Sequence, residues 1–317
     1  MKKMNLLKLL LIPMFVVIHG CASMGMSSHP LTDLKDKYTD QTSGFMAIDD
    51  LNIHYRDEGV GPTLVLLHGV GSSLHTWDGW VEHLSSHYRI LRIDLPGHGL
   101  TGVDAKVTHF DIEYMVDKLD KFLDKLNVDE MYLAGNSLGG YISWNYTLHS
   151  PDRVKKLILL DSAGFPQDLP FIMGLTALPI VGEMAGIMMP KFIVDMNVEA
   201  AFGDPSKVTD ELKQRYFDMT TLEGNRVSLV TAFRLLKEQS ENPHLGDGVK
   251  SVTSPTLLMW GEKDEWVPLE ILAKFEESLP NSQTIVYDGV GHMPMEEIPE
   301  LTSRDAHKFF QSDDLVK

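Results

Sequence analysis

Cysteine is almost missing. The 317-residue chain has one, Cys21, so no intrachain disulfide can form and no cysteine cluster can hold a metal. Positive charge is scarce too: 28 Lys and Arg stand against 45 Asp and Glu, for a formal net charge of -17. That balance argues against nucleic acid and anionic lipid surfaces as electrostatic partners. No HExxH or comparable ligand spacing occurs, so neither a metal nor a cofactor is expected. There is no internal repeat. Long apolar runs are lacking as well. Leu6 to Ile18 is too short to span a bilayer comfortably, and the run from Phe171 to Val194 is cut by Pro179, Glu183 and Pro190. What remains, 43% hydrophobic and 23% charged, is ordinary for a globular protein with a sizeable core.

The most informative stretch is Met131 to Gly140, MYLAGNSLGG. Its apolar start reads as a buried strand, Gly135-Asn136-Ser137-Leu138-Gly139 as a tight turn, and Tyr141 to His149 as a helix. Strand, Gly-x-Ser-x-Gly, helix is the context of a nucleophile elbow. Such a turn strains the backbone at the serine and leaves no room for side chains at the flanking glycines. The hydroxyl of Ser137 is thereby presented above the sheet.

Around this stretch, strands and helices alternate. Phe45 to Ile48 and Leu51 to Arg56 read as a β-hairpin. Thr63 to Leu67, Tyr88 to Ile93, Val154 to Leu160, Thr256 to Trp260 and Gln283 to Tyr287 read as further strands. Helices are expected from about Trp77 to Ser85, Ile112 to Leu126, Leu269 to Leu279 and Leu301 to Phe310. The alternation breaks between Phe165 and about Val249, where Asp210 to Gln239 looks helical. An α/β fold follows: a mostly parallel sheet, helices on both faces, and a helical cap inserted before the last two strands.

Four motifs, in order, resemble the α/β-hydrolase fold family: His68-Gly69, Gly135-Asn-Ser-Leu-Gly139, Gly261-Glu-Lys-Asp264 and Gly289-Val-Gly-His292. The resemblance runs from about Phe45 to the C-terminus and implies an eight-stranded, mostly parallel sheet. It places the core at 44–164 and 250–317 and the cap, or lid, at 165–249. The family's chain order of Ser, Asp and His is met by Ser137, Asp264 and His292. A serine hydroxyl needs a base to take its proton, and the base needs an acid to orient it. The family pattern puts the oxyanion-binding amides at Val70 and Leu138. Asp161 also ends a strand and is the alternative acid. His68 and His98 are read as loop-shaping residues and Asp94 as a turn residue. Ser72, Ser73 and Ser162 lie near the pocket mouth without an elbow.

The first residues carry a different signal. Met1-Lys2-Lys3 followed by an apolar run is the layout of a secretory signal over 1–20. Ile18-His19-Gly20-Cys21 resembles a bacterial lipoprotein processing site, with His19 where a small residue is usual. The resemblance implies lipidation at Cys21, a flexible tether over 21–43, and export to a lipid-anchored position. Ala22, rather than Asp, implies the outer membrane.

A serine nucleophile implies acyl transfer to water, and the Met- and Phe-rich cap implies a greasy acyl pocket. The motif details GNSLGG, LLDSAGF and GVGHMPMEE look like the small bacterial lipases and carboxylesterases, with a small-molecule or lipid ester as partner. Two other readings stay open. One is a carbon–carbon bond hydrolase of aromatic ring-cleavage products, whose relatives share GNS-x-GG and a helical cap. The other is a non-catalytic binding protein on the same fold. Nothing in the chain bears on oligomeric state.

Overall fold

The computed structural model describes residues 24–103, 111–279 and 281–312. Cys21 and the expected signal segment lie outside the described residues.

The first helix among the described residues is α1 (Leu31–Tyr38). This corrects the expectation of a tether through residue 43. Leu31, Leu34 and Tyr38 fall at helical spacing, and Leu34 and Tyr38 are buried against Leu100, Met219 and Leu222. The Tyr38 hydroxyl donates to Asp218 at 2.7 Å, so the segment is pinned to the body.

Eight strands form one sheet: β1 (Ser43–Ile48), β2 (Leu51–Gly59), β3 (Thr63–Leu67), β4 (Arg89–Ile93), β5 (Met131–Asn136), β6 (Val154–Leu160), β7 (Thr256–Gly261) and β8 (Ser282–Tyr287). Their order is β1-β2-β4-β3-β5-β6-β7-β8. Only β2 runs against its neighbours β1 and β4; every other pair is parallel. The central strands are apolar throughout because both faces are covered. On β3, Val65 and Leu67 enter the core under α3 (Ile112–Lys125), α4 (Leu138–His149) and, beyond the cap, the helix Leu269–Ser278. Leu64 and Leu66 enter the opposite core with Trp77, Trp80, Phe309 and Phe310. That core lies under α2 (Asp78–Leu84) and the C-terminal helix Pro299–Gln311. Each fully buried leucine contributes about 1.5–3 kcal/mol.

Between β6 and β7 the chain forms the helices α5 (Phe171–Thr176), α6 (Pro179–Ile187), α7 (Lys191–Ala200), α8 (Asp210–Thr221) and α9 (Asn225–Ser240). The stretch Asp210 to Gln239 is two helices, because Gly224 takes φ +90° and turns the chain between them. Beyond β7 follow α10 (Leu269–Ser278), the single turn α11 (Pro294–Glu297) and α12 (Pro299–Gln311). The parallel strands end on one side of the sheet, and the loops there face the cap.

Candidate active site

Ser137 sits between β5 and α4 with φ 55° and ψ -115°, a conformation that costs a non-glycine residue roughly 1–3 kcal/mol. The surroundings over-determine it. Its amide donates to the Leu160 carbonyl at 3.0 Å, and its own carbonyl accepts from Tyr141 at 3.0 Å and Ala163 at 3.2 Å. The glycines are sterically required: a methyl at Gly135 would lie 2.2 Å from the Gly139 oxygen, and one at Gly139 would lie 2.2 Å from the Leu67 oxygen.

His292 and Asp264 converge from loops after β8 and β7. The His292 Nδ1–H donates to Asp264 Oδ2 at 2.7 Å, with both side chains buried. The other carboxylate oxygen, Oδ1, accepts from the amides of Trp266 at 2.7 Å and Val267 at 3.0 Å. Among the described residues the His292 ring hydrogen-bonds only Asp264, which leaves Nε2 uncommitted. Ser137 and His292 line the same cavity without a hydrogen bond between them. Catalytic contacts of this kind often tighten only when substrate is bound. Asn136, Ser137, Asp264 and His292 are thus gathered at one rim of the sheet.

The amides expected to bind an oxyanion lie close by. Leu138 is the first residue of α4, where an N–H has no helical acceptor. Val70 lines the cavity beside Ser137, and its amide donates to no backbone carbonyl among the described residues. A methyl at Gly69 would lie 3.1 Å from the Ser137 Cβ, so the His68-Gly69 turn is packed directly on the nucleophile.

Asp161 is close to this cluster but not bonded to His292. Its donor atom, that of Asp264 and that of His292 lie within 4.8 Å of one another. Oδ1 of Asp161 accepts from the Gly261 amide at 2.9 Å, while Oδ2 is buried without a hydrogen-bond partner. Burial first, and then the negative charge of Asp264, raise the Asp161 carboxyl well above its ordinary 3.8. The three groups could hold a cation only by giving up the His292–Asp264 bond, so the cluster is a hydrogen-bonded network in this state.

The other polar residues singled out in the sequence have structural partners. His68 Nδ1–H donates to the Gly69 carbonyl at 2.7 Å and its Nε2 accepts from Leu95 at 3.0 Å. Burial lowers the pKa of His68 and brings His98 down to about 4. Asp94, expected to be a turn residue, is a buried hub. It accepts from His54, Leu74 and Leu100, each at 2.7 Å. Burial would raise its pKa, but the imidazoles of His54, His68 and His75 together hold it below its ordinary value. Ser72 does line the cavity, and its hydroxyl is 3.2 Å from that of Tyr216.

Three supporting residues were missed. The Asn136 side-chain amide donates to the carbonyls of Leu160 at 3.2 Å and His292 at 3.0 Å, tying the elbow to the histidine loop. Buried Glu297 accepts from the amides of Gly203 and Gly291 at 2.9 Å and of Asp204 at 3.0 Å. It clamps the histidine loop to the end of α7, where the His292 amide also donates to Ala201 at 2.8 Å. Trp266 stacks on the His292 ring with centroids 5.2 Å apart. Asn136 and Glu297 lie inside stretches already quoted as motifs, GNSLGG and GVGHMPMEE, and that position was the available signal.

A cavity of about 790 Å³, its opening to solvent included, lies beside Ser137 under the cap. Ile172, Met173, Met189, Val194, Val198 and Phe233 form much of its wall, and among the described residues no Lys, Arg, Asp or Glu lines it. A smaller space, also lined by Ser137, is walled by Phe165, Leu169, Pro170, Leu236 and Leu245, again with no Lys, Arg, Asp or Glu among the described residues.

Residues 62–188 and 198–299 match the alpha/beta hydrolase fold family. The chain belongs to it. Among similar proteins of this family is a 2-hydroxy-6-oxononadienedioate/2-hydroxy-6-oxononatrienedioate hydrolase of Pseudomonas putida. It is 28% identical over 283 residues, which cover 83% of this chain and 95% of the relative. A 2-hydroxy-6-oxo-2,4-heptadienoate hydrolase of the same species is 28% identical over 252 residues, or 77% and 86%. Among solved structures, a meta-cleavage product hydrolase from Pseudomonas fluorescens superposes with a TM-score of 0.76 at 23% identity, over 87% of this chain and 100% of that one. At that identity the α/β-hydrolase likeness is one of fold. The chain is a hydrolase of this family. The two named relatives are hydrolases of 2-hydroxy-6-oxo-dienoate compounds, which agrees with the alternative left open by the sequence rather than with the lipases and carboxylesterases.

Proposed function

We propose that the chain is a serine hydrolase of neutral, apolar carboxylic esters, working through an acyl-enzyme on Ser137. The observation that carries this reading is the charge-free wall of the cavity. A substrate carboxylate buried there would have no Lys or Arg partner among the described residues, and an unpaired buried charge is costly. In the proposed cycle His292 Nε2 takes the Ser137 proton as Oγ attacks the carbonyl carbon. The oxyanion rests on the amides of Val70 and Leu138. His292, held by Asp264, then protonates the departing alcohol oxygen, and water repeats the sequence to release the acid.

The second reading is carbon–carbon bond hydrolysis of a ring-cleavage dienoate. It is supported by the names of the relatives at 28% identity. Both readings use the same serine and differ in the substrate's charge. The deciding experiment sets kcat/KM for p-nitrophenyl butyrate, octanoate and laurate beside that for a 2-hydroxy-6-oxo-dienoate. Values rising with acyl length and negligible dienoate turnover support the ester reading. The reverse order overturns it in favour of carbon–carbon cleavage, and no turnover of either favours a binding protein.

Lipidation at Cys21 and an exported, outer-membrane position remain part of the same proposal. Loss of membrane association in Cys21→Ser supports the anchor, and unchanged association removes it.

A further inference from the structure

The cap turns an unusually apolar face away from the active site. Residues 171–190 contain one charged side chain, Glu183, in a chain that has 28 basic and 45 acidic residues. On α6, Ile180, Met184 and Ile187 recur at i, i+4 and i+7 and so share one side of the helix; all three are exposed, Ile180 by 78%. Phe171 at the start of α5 is 83% exposed. Phe192 and Met196, one turn apart on α7, are exposed as well. Met173 of α5, Val194 of α7 and Met189 of the link before α7 line the cavity, while α6 lies against Val230 and Arg234 of α9. The large exposed side chains lie on the sides left over, and packing of the cap does not require them.

The chain itself arrives at this face. The Met189 amide, in the short link between α6 and α7, donates to the Gly25 carbonyl at 3.4 Å. Arg226 donates to the Ser27 carbonyl at 3.1 Å, the Ser28 hydroxyl at 2.8 Å and the Gly186 carbonyl at 3.2 Å, fastening residues 27 and 28 to the end of α6. Met24 and Met26 add two more exposed apolar side chains there. Cys21, the proposed lipidation site, stands three residues before Met24 in the sequence.

We propose that the outer face of α5–α7, together with Met24 and Met26, docks on a lipid bilayer with electrically neutral headgroups. A bilayer that holds an acylated Cys21, as proposed above, would lie at this face, whereas a second copy of the chain would cover the cap alone. The charge of -17 disfavours an anionic surface; on α5 and α6 the one charge is Glu183, 3.3 Å from Arg234, and on α7 Lys191 pairs with Asp195 and Glu199 with Lys213. Shallow insertion of bulky apolar side chains into the headgroup boundary is how surface-lying helices bind. In this orientation the cavity lies one helix layer from the lipid.

The test uses the full chain with Cys21→Ser and a single environment-sensitive fluorophore on Met184→Cys. A second protein carries the fluorophore on Val60→Cys, an exposed position in the β2–β3 loop at the far end of the sheet. Each is mixed with phosphatidylcholine–phosphatidylethanolamine vesicles containing a spin-labelled lipid. Docking is expected to shift the Met184 probe to the blue and quench it, with the Val60 probe unaffected. Adding Phe171→Ser and Ile180→Ser should weaken this response by roughly tenfold or more in lipid concentration, with an unchanged thermal midpoint showing that the cap is intact. Vesicle-bound protein whose Met184 probe stays unquenched overturns the proposal. A probe already shielded without vesicles also overturns it, with sedimentation assigning the cover to a second copy or to the chain's own apolar run.

Discussion

Replacing Asp264 by Asn is the sharpest probe of the site, because the structure dictates which way the new amide must point. Two backbone amides, of Trp266 and Val267, donate to Oδ1 at 2.7 and 3.0 Å. They require an acceptor, so the asparagine carbonyl takes that position. The NH2 group then falls where Oδ2 was, 2.7 Å from His292 Nδ1. There it can only donate. Nδ1 becomes the acceptor, the ring proton moves to Nε2, and the imidazole can no longer take the proton of Ser137. The wrong tautomer in an otherwise intact triad costs about 10⁴ in kcat, or about 5.4 kcal/mol in the barrier at 1.36 kcal/mol per tenfold. The assay is kcat on the preferred ester, with the thermal midpoint as the check on folding. Asp161→Asn is the control. Asp161 makes no hydrogen bond to His292, whose Nδ1–H is held by Asp264, so kcat of this variant should change by no more than a few-fold. If Asp264→Asn keeps kcat within tenfold while Asp161→Asn abolishes it, Asp161 is the acid and the reasoning fails.

Other outcomes follow from the same contacts. Ser137→Ala should lower kcat by about a million-fold, leaving the residual rate that binding and the amides of Val70 and Leu138 supply; retention of measurable burst kinetics would place the nucleophile elsewhere. Asp161→Asn should raise stability progressively as pH increases. The folded pKa of Asp161 lies above its ordinary 3.8, so wild-type stability is present at lower pH and is lost as pH rises toward the folded value. Thermal midpoints of the two proteins should therefore diverge upward from about pH 4, and parallel curves would contradict a raised pKa. Val198→Phe, which adds bulk to the cavity wall, should lower kcat/KM for the octanoyl ester roughly tenfold relative to the butyryl ester. Equal losses for both would mean that the acyl chain lies in the space beside Phe165 and Leu169 instead.

Much of the fold was legible because its signals are local. The apolar runs from Thr63 to Leu67 and Val154 to Leu160 mark strands covered on both faces, and each was placed within a residue or two. The elbow was legible for the same reason: the strain at Ser137 and the contacts that forbid side chains at Gly135 and Gly139 arise within a few residues. Helix α1 was missed although Leu31, Leu34 and Tyr38 carry its period, because the neighbouring small and polar residues suggested a tether. The break at Gly224 was hidden inside a continuous helical pattern.

By itself the sequence located the tight turn at Ser137, the succession of strands along the chain and the kinds of acid and base available, since these depend on residue type and short-range sterics. Tertiary structure decided what depends on distance. It chose Asp264 over Asp161 as the partner of His292, because only one carboxylate meets the Nδ1–H while two amides hold its other oxygen. It joined Asn136 and Glu297 to the histidine loop across long stretches of chain. It also sorted the apolar residues of the cap into a charge-free cavity wall and an outward face, a division that no periodicity within 171–200 could specify without the sheet beneath it.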